Sequence, residues 1–259
     1  MAVSGKFNTD SKALVNRINA HDKFGSKNIN EWIFQHMELS EGLKIVDLGC
    51  GTGRQSIPLA QAVGQTGNVQ AVDISQESLD ILIEESRKKN VSDIITVLHS
   101  DFDNLKEHLA STKYERVLAS FSVYYSSNAD SIFKIIHESL KPCGIFFFCG
   151  PSKENNNELK TFISDFSNIS QNNTGVGSDF MENNGQVLAK KYFTNIRVSK
   201  FENPLIFDSA NSLYSYWCSY NLYDEQLDEK FRAAAEKHFE KNSFFVTKKR
   251  VIGVKAIKF

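Results

Sequence analysis

A chain of 259 residues with 41% hydrophobic content is long enough to bury one large core, and its formal net charge of −1 offers no basic excess for a broad nucleic-acid surface. No apolar run reaches the roughly 20 residues that a membrane-spanning helix needs, and the first residues, Met1-Ala-Val-Ser-Gly-Lys6, carry no apolar signal core. The cysteines, Cys50, Cys143, Cys149 and Cys218, form neither a C-x-x-C pair nor a metal-ligand spacing, which suits a reducing cytoplasm.

Two amphipathic helical patterns come first. One runs over 10–20 with Leu14, Val15 and Ile18 on a face, and the other over 29–37 with Ile33 and Phe34 inward. His21 lies between them. Ile45 and Val46 then mark a buried strand that enters the turn Asp47-Leu-Gly49-Cys50-Gly51-Thr52-Gly53, and an apolar pattern at helical spacing (Ile57, Leu59, Ala60, Val63) follows from about Arg54. Alternate glycines let the backbone take positive φ and approach a ligand closely. A dinucleotide fingerprint would place its third glycine at Arg54; here it falls one residue early, at Gly53, and an acid precedes the first glycine.

A second strand over 68–74 ends near Asp73, and Ser75 caps the helix expected over 76–90, whose Glu and Lys residues form a solvated face. An acid at that strand tip suits a ribose diol. A third strand, 94–98, leads into His99-Ser100-Asp101-Phe102, and a fourth, 115–119, opens into Ser120-Phe-Ser-Val-Tyr124-Tyr125-Ser-Ser-Asn128. A helix over 130–140 precedes the tight turn Lys141-Pro142-Cys143-Gly144 and an apolar strand, Ile145–Cys149. Beyond Gly150 the pattern predicts a helix over 158–168, a polar loop over 170–178, a strand over 196–207 broken at Asn203-Pro204, an aromatic helix over 209–222, a charged helix over 224–241, and strands over 244–247 and 251–257.

The string D-x-G-x-G-x-G from Asp47 to Gly53 resembles motif I of the class I S-adenosylmethionine (SAM)-dependent methyltransferases. Asp73, Asp101-Phe102 and Leu140-Lys-Pro-Cys-Gly144 follow in that family's order, so the resemblance covers roughly residues 43–150. It implies an α/β fold: a Rossmann-like, doubly wound, mostly parallel seven-stranded sheet with an antiparallel C-terminal strand and an N-terminal helical lid. It implies one domain over 1–259, with the lid over 1–41, a SAM-binding core over 42–150, and substrate-side insertions and closing strands over 151–259. The cofactor is then SAM, leaving as S-adenosylhomocysteine (SAH), without a metal. Its contacts by resemblance are Asp47, Gly49, Cys50, Gly51 and Gly53 at the turn, Asp73 with Ile74 at the ribose, Asp101 with Phe102 at the adenine, and Ser120 beyond the fourth strand.

For the acceptor, Tyr124 and Tyr125 of the loop and Tyr216, Trp217 and Tyr220 of the aromatic helix are the expected wall, since their faces and hydroxyls suit an aromatic or amine compound. His21 is the candidate general base, because histidine titrates near neutrality, and Tyr124 is the second catalytic candidate. The expectation is a cytoplasmic monomer or homodimer that methylates oxygen or nitrogen of a small molecule, with no nucleic-acid or membrane partner. Two alternatives stay open: an RNA or protein methyltransferase, and a non-catalytic SAM- or SAH-binding protein.

Overall fold

Strand β1, Lys44–Leu48, sits inside a seven-stranded sheet of order β3-β2-β1-β4-β5-β7-β6 in a computed structural model that describes residues 23–109, 111–167, 176–220 and 223–259. β1 pairs in parallel with β2, Asn68–Asp73, and with β4, Tyr114–Ser120. Outward from these, β2 pairs in parallel with β3, Ile95–His99, and β4 with β5, Leu140–Pro151, whereas β7, Phe245–Ile257, runs antiparallel to β5. β6, Thr194–Phe207, is the edge. Ile45, Val46, Leu48 and Phe146–Phe148 are all buried, as parallel strands covered on both faces require. Strand order reverses between β1 and β4, and in such sheets ligands bind beyond the carboxyl ends at that reversal.

The helices are α1, Ile29–Met37; α2, Ser56–Val63; α3, Gln76–Lys88; α4, Leu105–Leu109; α5, Ala129–Ser139; α6, Asn157–Ser164; α7, Val176–Asp179; α8, Gly185–Tyr192; α9, Ala210–Ser219; and α10, Asp228–Phe239. α1 buries Ile29, Ile33 and Met37, while Phe34 is only half-buried. His36 of α1 stacks on Phe147 of β5 at 5.0 Å, and Trp32 meets the same ring edge-on at 5.5 Å, so this helix covers the sheet. The expected 10–20 helix lies outside the described residues.

Four features differ from the sequence pattern. The Lys141–Gly144 turn is an interruption inside β5, where the pairing jumps from Tyr114↔Leu140 to Arg116↔Ile145. Cys143, not Gly144, takes the positive φ of 61°, because its N–H donates to Lys258 O at 2.9 Å. β6 is unbroken at Pro204, since an edge strand tolerates a residue without an N–H. β7 is one strand where two were expected. The loop expected over 170–178 gives way from Val176 to a helical run through α7, a π-helical turn at Phe180–Asn184 and α8.

The chain divides into two units. The first comprises 29–152, 176–200 and 251–259, and its core gathers Val46, Leu48, Val117, Phe133, Phe146, Phe148, Met181 and Val254. The second comprises, among the described residues, 23–28, 153–167, 201–220 and 223–250. Its core is aromatic: Trp217 stacks on Phe231 at 5.1 Å and 4°, and Tyr216 packs on Phe207 at 5.2 Å. Asn203 ties its first residues down, accepting from Ser26 N at 3.0 Å and Lys27 N at 3.1 Å and donating to Lys27 O at 3.0 Å.

Candidate active site

The turn after β1 is held by its own backbone. Gly49, Gly51 and Gly53 have φ of 72°, 53° and 87°. A Cβ at Gly49 would lie 2.3 Å from Ser122 Cβ, and one at Gly53 would lie 2.8 Å from Leu82 Cγ, so neither position accepts a side chain. The N–H groups of Gly49 and Cys50 donate to Val72 O at 2.7 and 3.0 Å, that of Gly53 to Cys50 O at 3.0 Å, and that of Gly51 to Asp73 Oδ2 at 2.7 Å. Four amides are therefore turned inward. A phosphate cradle needs such amides free and pointing at the ligand, so this turn is not built for an anion.

Its electrostatics agree. Asp47 is 1% exposed, and its Oδ2 accepts from Ser56 Oγ at 2.6 Å, while Oδ1 is buried without a hydrogen-bond partner. Burial pushes its carboxyl up to about 7; the Ser56 hydroxyl opposes that shift and the Asp73 carboxylate adds to it. Burial likewise drives the Cys50 thiol well above its ordinary value. Asp73 stands at the tip of β2, where Oδ1 accepts from Ser75 N at 2.9 Å and Oδ2 from Gly51 N. These two bonds aim the carboxylate, and each oxygen keeps a lone pair for a diol. None of these four amides is left as a free donor for an incoming pyrophosphate, and the Asp73 carboxylate stands beside them.

The remaining expected cofactor residues line neighbouring tips. Asp101, following β3, accepts through Oδ1 from Asn104 N at 3.0 Å and Nδ2 at 2.9 Å. Phe102 is half-buried against the first unit's core, and Ile74 is 44% exposed. His99 Nε2 is 2.8 Å from Ile74 O. Ser120 is buried at the end of β4, with Oγ 3.5 Å from Cys149 Sγ.

Three residues of this region escaped the sequence pattern. Ser122 Oγ donates to Leu48 O, which ties the loop after β4 to the tip of β1 at the spot that only glycine at 49 leaves open. Phe121, between Ser120 and Ser122, takes φ of 57°, an uncommon conformation for an aromatic residue, and donates its N–H to Cys149 O at 2.8 Å. Asn30 of α1 reaches the turn, donating to Arg54 O at 3.0 Å and accepting from Gln55 Nε2 at 3.0 Å. The S-F-S string next to a strand end was the available signal for the first two; nothing local marked Asn30.

On the acceptor side, Tyr124 is 8% exposed, its ring lying where a Cβ on Gly150 or Gly177 would come within 2.9 Å. Tyr125 is 48% exposed, with ring centroids 4.6 Å from Tyr124. The same loop borders a cleft of about 390 Å³ whose walls, among the described residues, include Ser126, Ser127, Phe180, Asn184 and Leu188, none of them ionisable. Tyr216 and Trp217 belong to the second unit's core, at 2% and 0% exposure. Tyr220 of that unit is half-buried, and burial pushes its phenol up to about 12 against a hydrogen bond to Asn156. His21 lies outside the described residues.

A family model described as a methyltransferase domain matches residues 39–198, more than half of the chain and the whole of this turn-and-tip region. The chain belongs to the class I SAM-dependent methyltransferase family. Among curated relatives, it is 31% identical over 118 residues to a demethylmenaquinone methyltransferase of Lactobacillus johnsonii, covering 44% of this chain and 48% of that protein. It is 30% identical over 118 residues to an arsenite methyltransferase of Aquipseudomonas alcaligenes, covering 42% and 33%. The matches thus span about half or less of those relatives' length. A SAM-dependent methyltransferase from Aquifex aeolicus shares the fold with a TM-score of 0.57 at 15% identity, over 98% of this chain and 100% of that one. The family implies SAM binding, and these residues fit such a cofactor: an acid with lone pairs for a ribose, glycines no side chain can replace, and an orphaned buried carboxyl oxygen facing no cation among the described residues.

Proposed function

We propose that this protein transfers the methyl group of SAM to oxygen or nitrogen of a small-molecule acceptor. The observation that carries the cofactor half is the pairing of inward-turned glycine amides with the Asp47 and Asp73 carboxyls, a surface that repels pyrophosphate and accepts a cationic nucleoside. Asp73 would hold the ribose, Asp101 and Phe102 the adenine, and Asp47 with the Gly49–Gly53 turn the amino-acid end. Bound there, SAM supplies an electrophilic methyl group open to in-line attack. The chain's part is to hold the acceptor at attack distance and to keep water out, and positioning alone accounts for roughly 7–11 kcal/mol of barrier lowering.

For the acceptor, support comes from the exposed ring of Tyr125 in the loop after β4 and from relatives named demethylmenaquinone methyltransferase and arsenite methyltransferase. Tyr124 and Tyr125 are the proposed contacts, and His21 is the proposed base; Tyr216 and Trp217 are core residues of the second unit. The whole is proposed as one methyltransferase domain over 1–259, working in the cytoplasm as a monomer or homodimer. No described helix is long and apolar enough to cross a membrane.

The test is to incubate the protein with methyl-tritiated SAM and separate pools of phenols, quinols, amines and total RNA. Label passing into the organic-soluble pools supports the proposal. Label appearing only in acid-precipitable RNA or protein overturns the acceptor class, and SAM that binds without any transfer overturns catalysis.

A further inference from the structure

A carboxylate sealed at a strand tip with one oxygen unpaired is costly unless it is protonated or meets a cation. Asp47 is in that position: one oxygen is satisfied by the Ser56 hydroxyl, the other by nothing among the described residues, at 1% exposure. The groups facing it do not relieve the cost. The tip of β2 brings the Asp73 carboxylate, which disfavours a second negative charge beside it. The turn brings the Cys50 thiol, itself held neutral by burial. α2 brings the Ser56 hydroxyl, and the loop after β4 brings Ser122, whose own hydrogen goes to Leu48 O.

We propose that Asp47 carries a proton in the free protein and releases it to solvent when the ammonium group of the cofactor binds, so that cofactor capture and proton release are one linked event. The proposal rests on SAM and SAH being ligands of this site, and both bring an ammonium group. The step is a simple ionisation: the Asp47 O–H bond breaks, its electron pair stays on the carboxylate oxygen, and the proton passes to the buffer. No bond forms on the cofactor and nothing is oxidised. Burial sets the free-state carboxyl at about 7, so the linkage operates across the neutral range. Cofactor affinity then rises with pH through that range, because less work is needed to empty the site of its proton.

The measurement is isothermal titration of SAH, which binds without turnover, in pairs of buffers of different ionisation enthalpy at pH 6 and pH 8. The expected result is release of most of one proton at pH 6 and little at pH 8. Asp47→Asn, checked for folding by circular dichroism, should bind SAH with no proton release at either pH. Ser56→Ala removes the hydroxyl that favours the charged form, and should extend the release to higher pH. That second variant tests the linkage even if Asp47→Asn does not fold. SAH binding with no buffer-dependent heat, a release that persists in Asp47→Asn, or a profile unmoved in Ser56→Ala would overturn the proposal. A folded wild-type protein that binds no SAH at all would instead overturn the proposed function on which it rests.

Discussion

Asp47 in the first unit and Asn156 in the second are short polar side chains buried to the same degree, 1% and 2% exposed, yet they sit in opposite surroundings. Asn156 is closed on every side. Its N–H donates to Lys248 O at 2.9 Å, its Nδ2 to the Tyr216 hydroxyl at 2.8 Å, and its Oδ1 takes the Thr247 hydroxyl at 3.4 Å. Asp47 has one oxygen closed and one open. Burial alone therefore does not mark a functional residue. The second unit also holds buried atoms without a partner, Trp217 Nε1 and Asp228 Oδ1, so what sets Asp47 apart is an open carboxyl oxygen lying beside a second carboxylate, Asp73, at the glycine turn.

The strongest perturbation of the second unit is Trp217→Ala. Removing a fully buried indole stacked on Phe231 should cost about 3–5 kcal/mol of stability, measured by urea denaturation. On the open side, the pH dependence of stability should carry the Asp47 signature. Its folded-state value of about 7 lies above the 3.8 of the exposed acid, so between those values the folded state binds the extra proton and stability falls as pH rises. The fall from this group amounts to at most about 4 kcal/mol between pH 4 and pH 8. Asp47→Asn should lack that slope in urea titrations of the cofactor-free protein. A slope unchanged in the variant assigns the pH dependence elsewhere.

Asp73→Ala should weaken SAH binding by about 1.5–3 kcal/mol for each hydrogen bond lost, while also releasing the Gly51 amide that the carboxylate holds. Calorimetric affinity equal to wild type would remove Asp73 from the site. Asn156→Ala sharpens the contrast from the other direction. It should cost about 1–3 kcal/mol of stability, because the buried amide that bonds the Tyr216 hydroxyl is lost, and should leave SAH affinity within about twofold. A large loss of SAH affinity in a folded Asn156→Ala protein would dissolve the distinction between the two residues.

The strands and the Asp47–Gly53 turn were legible because each is a local pattern, β-branched runs, glycine spacing and an acid at a strand end, while the order-reversing topology was implied by the family resemblance those patterns carry. The contact of Ser122 with Gly49 was not, since it depends on two residues far apart in the chain meeting 2.3 Å from a Cβ that is not there. The helical run over 176–192 was hidden by Gly177 and by Asn183-Asn184-Gly185, which read as loop signals but lie in or beside a π-helical turn packed through Phe180 and Met181. Tyr216, Trp217 and Tyr125 looked alike as exposable aromatics. Tertiary packing buried the first two and left Tyr125 48% exposed, a difference no periodicity encodes. The open oxygen of Asp47 was equally invisible, because an absent partner has no sequence signature.

The central claim is that closed amides and paired acids at the β1 and β2 tips take a cationic adenosyl cofactor and refuse an anionic dinucleotide. Parallel calorimetric titrations of the wild-type protein with SAM and with NAD test it most directly. The account predicts saturable, one-site binding of SAM and no heat from NAD. Saturable binding of NAD with SAM silent would contradict it.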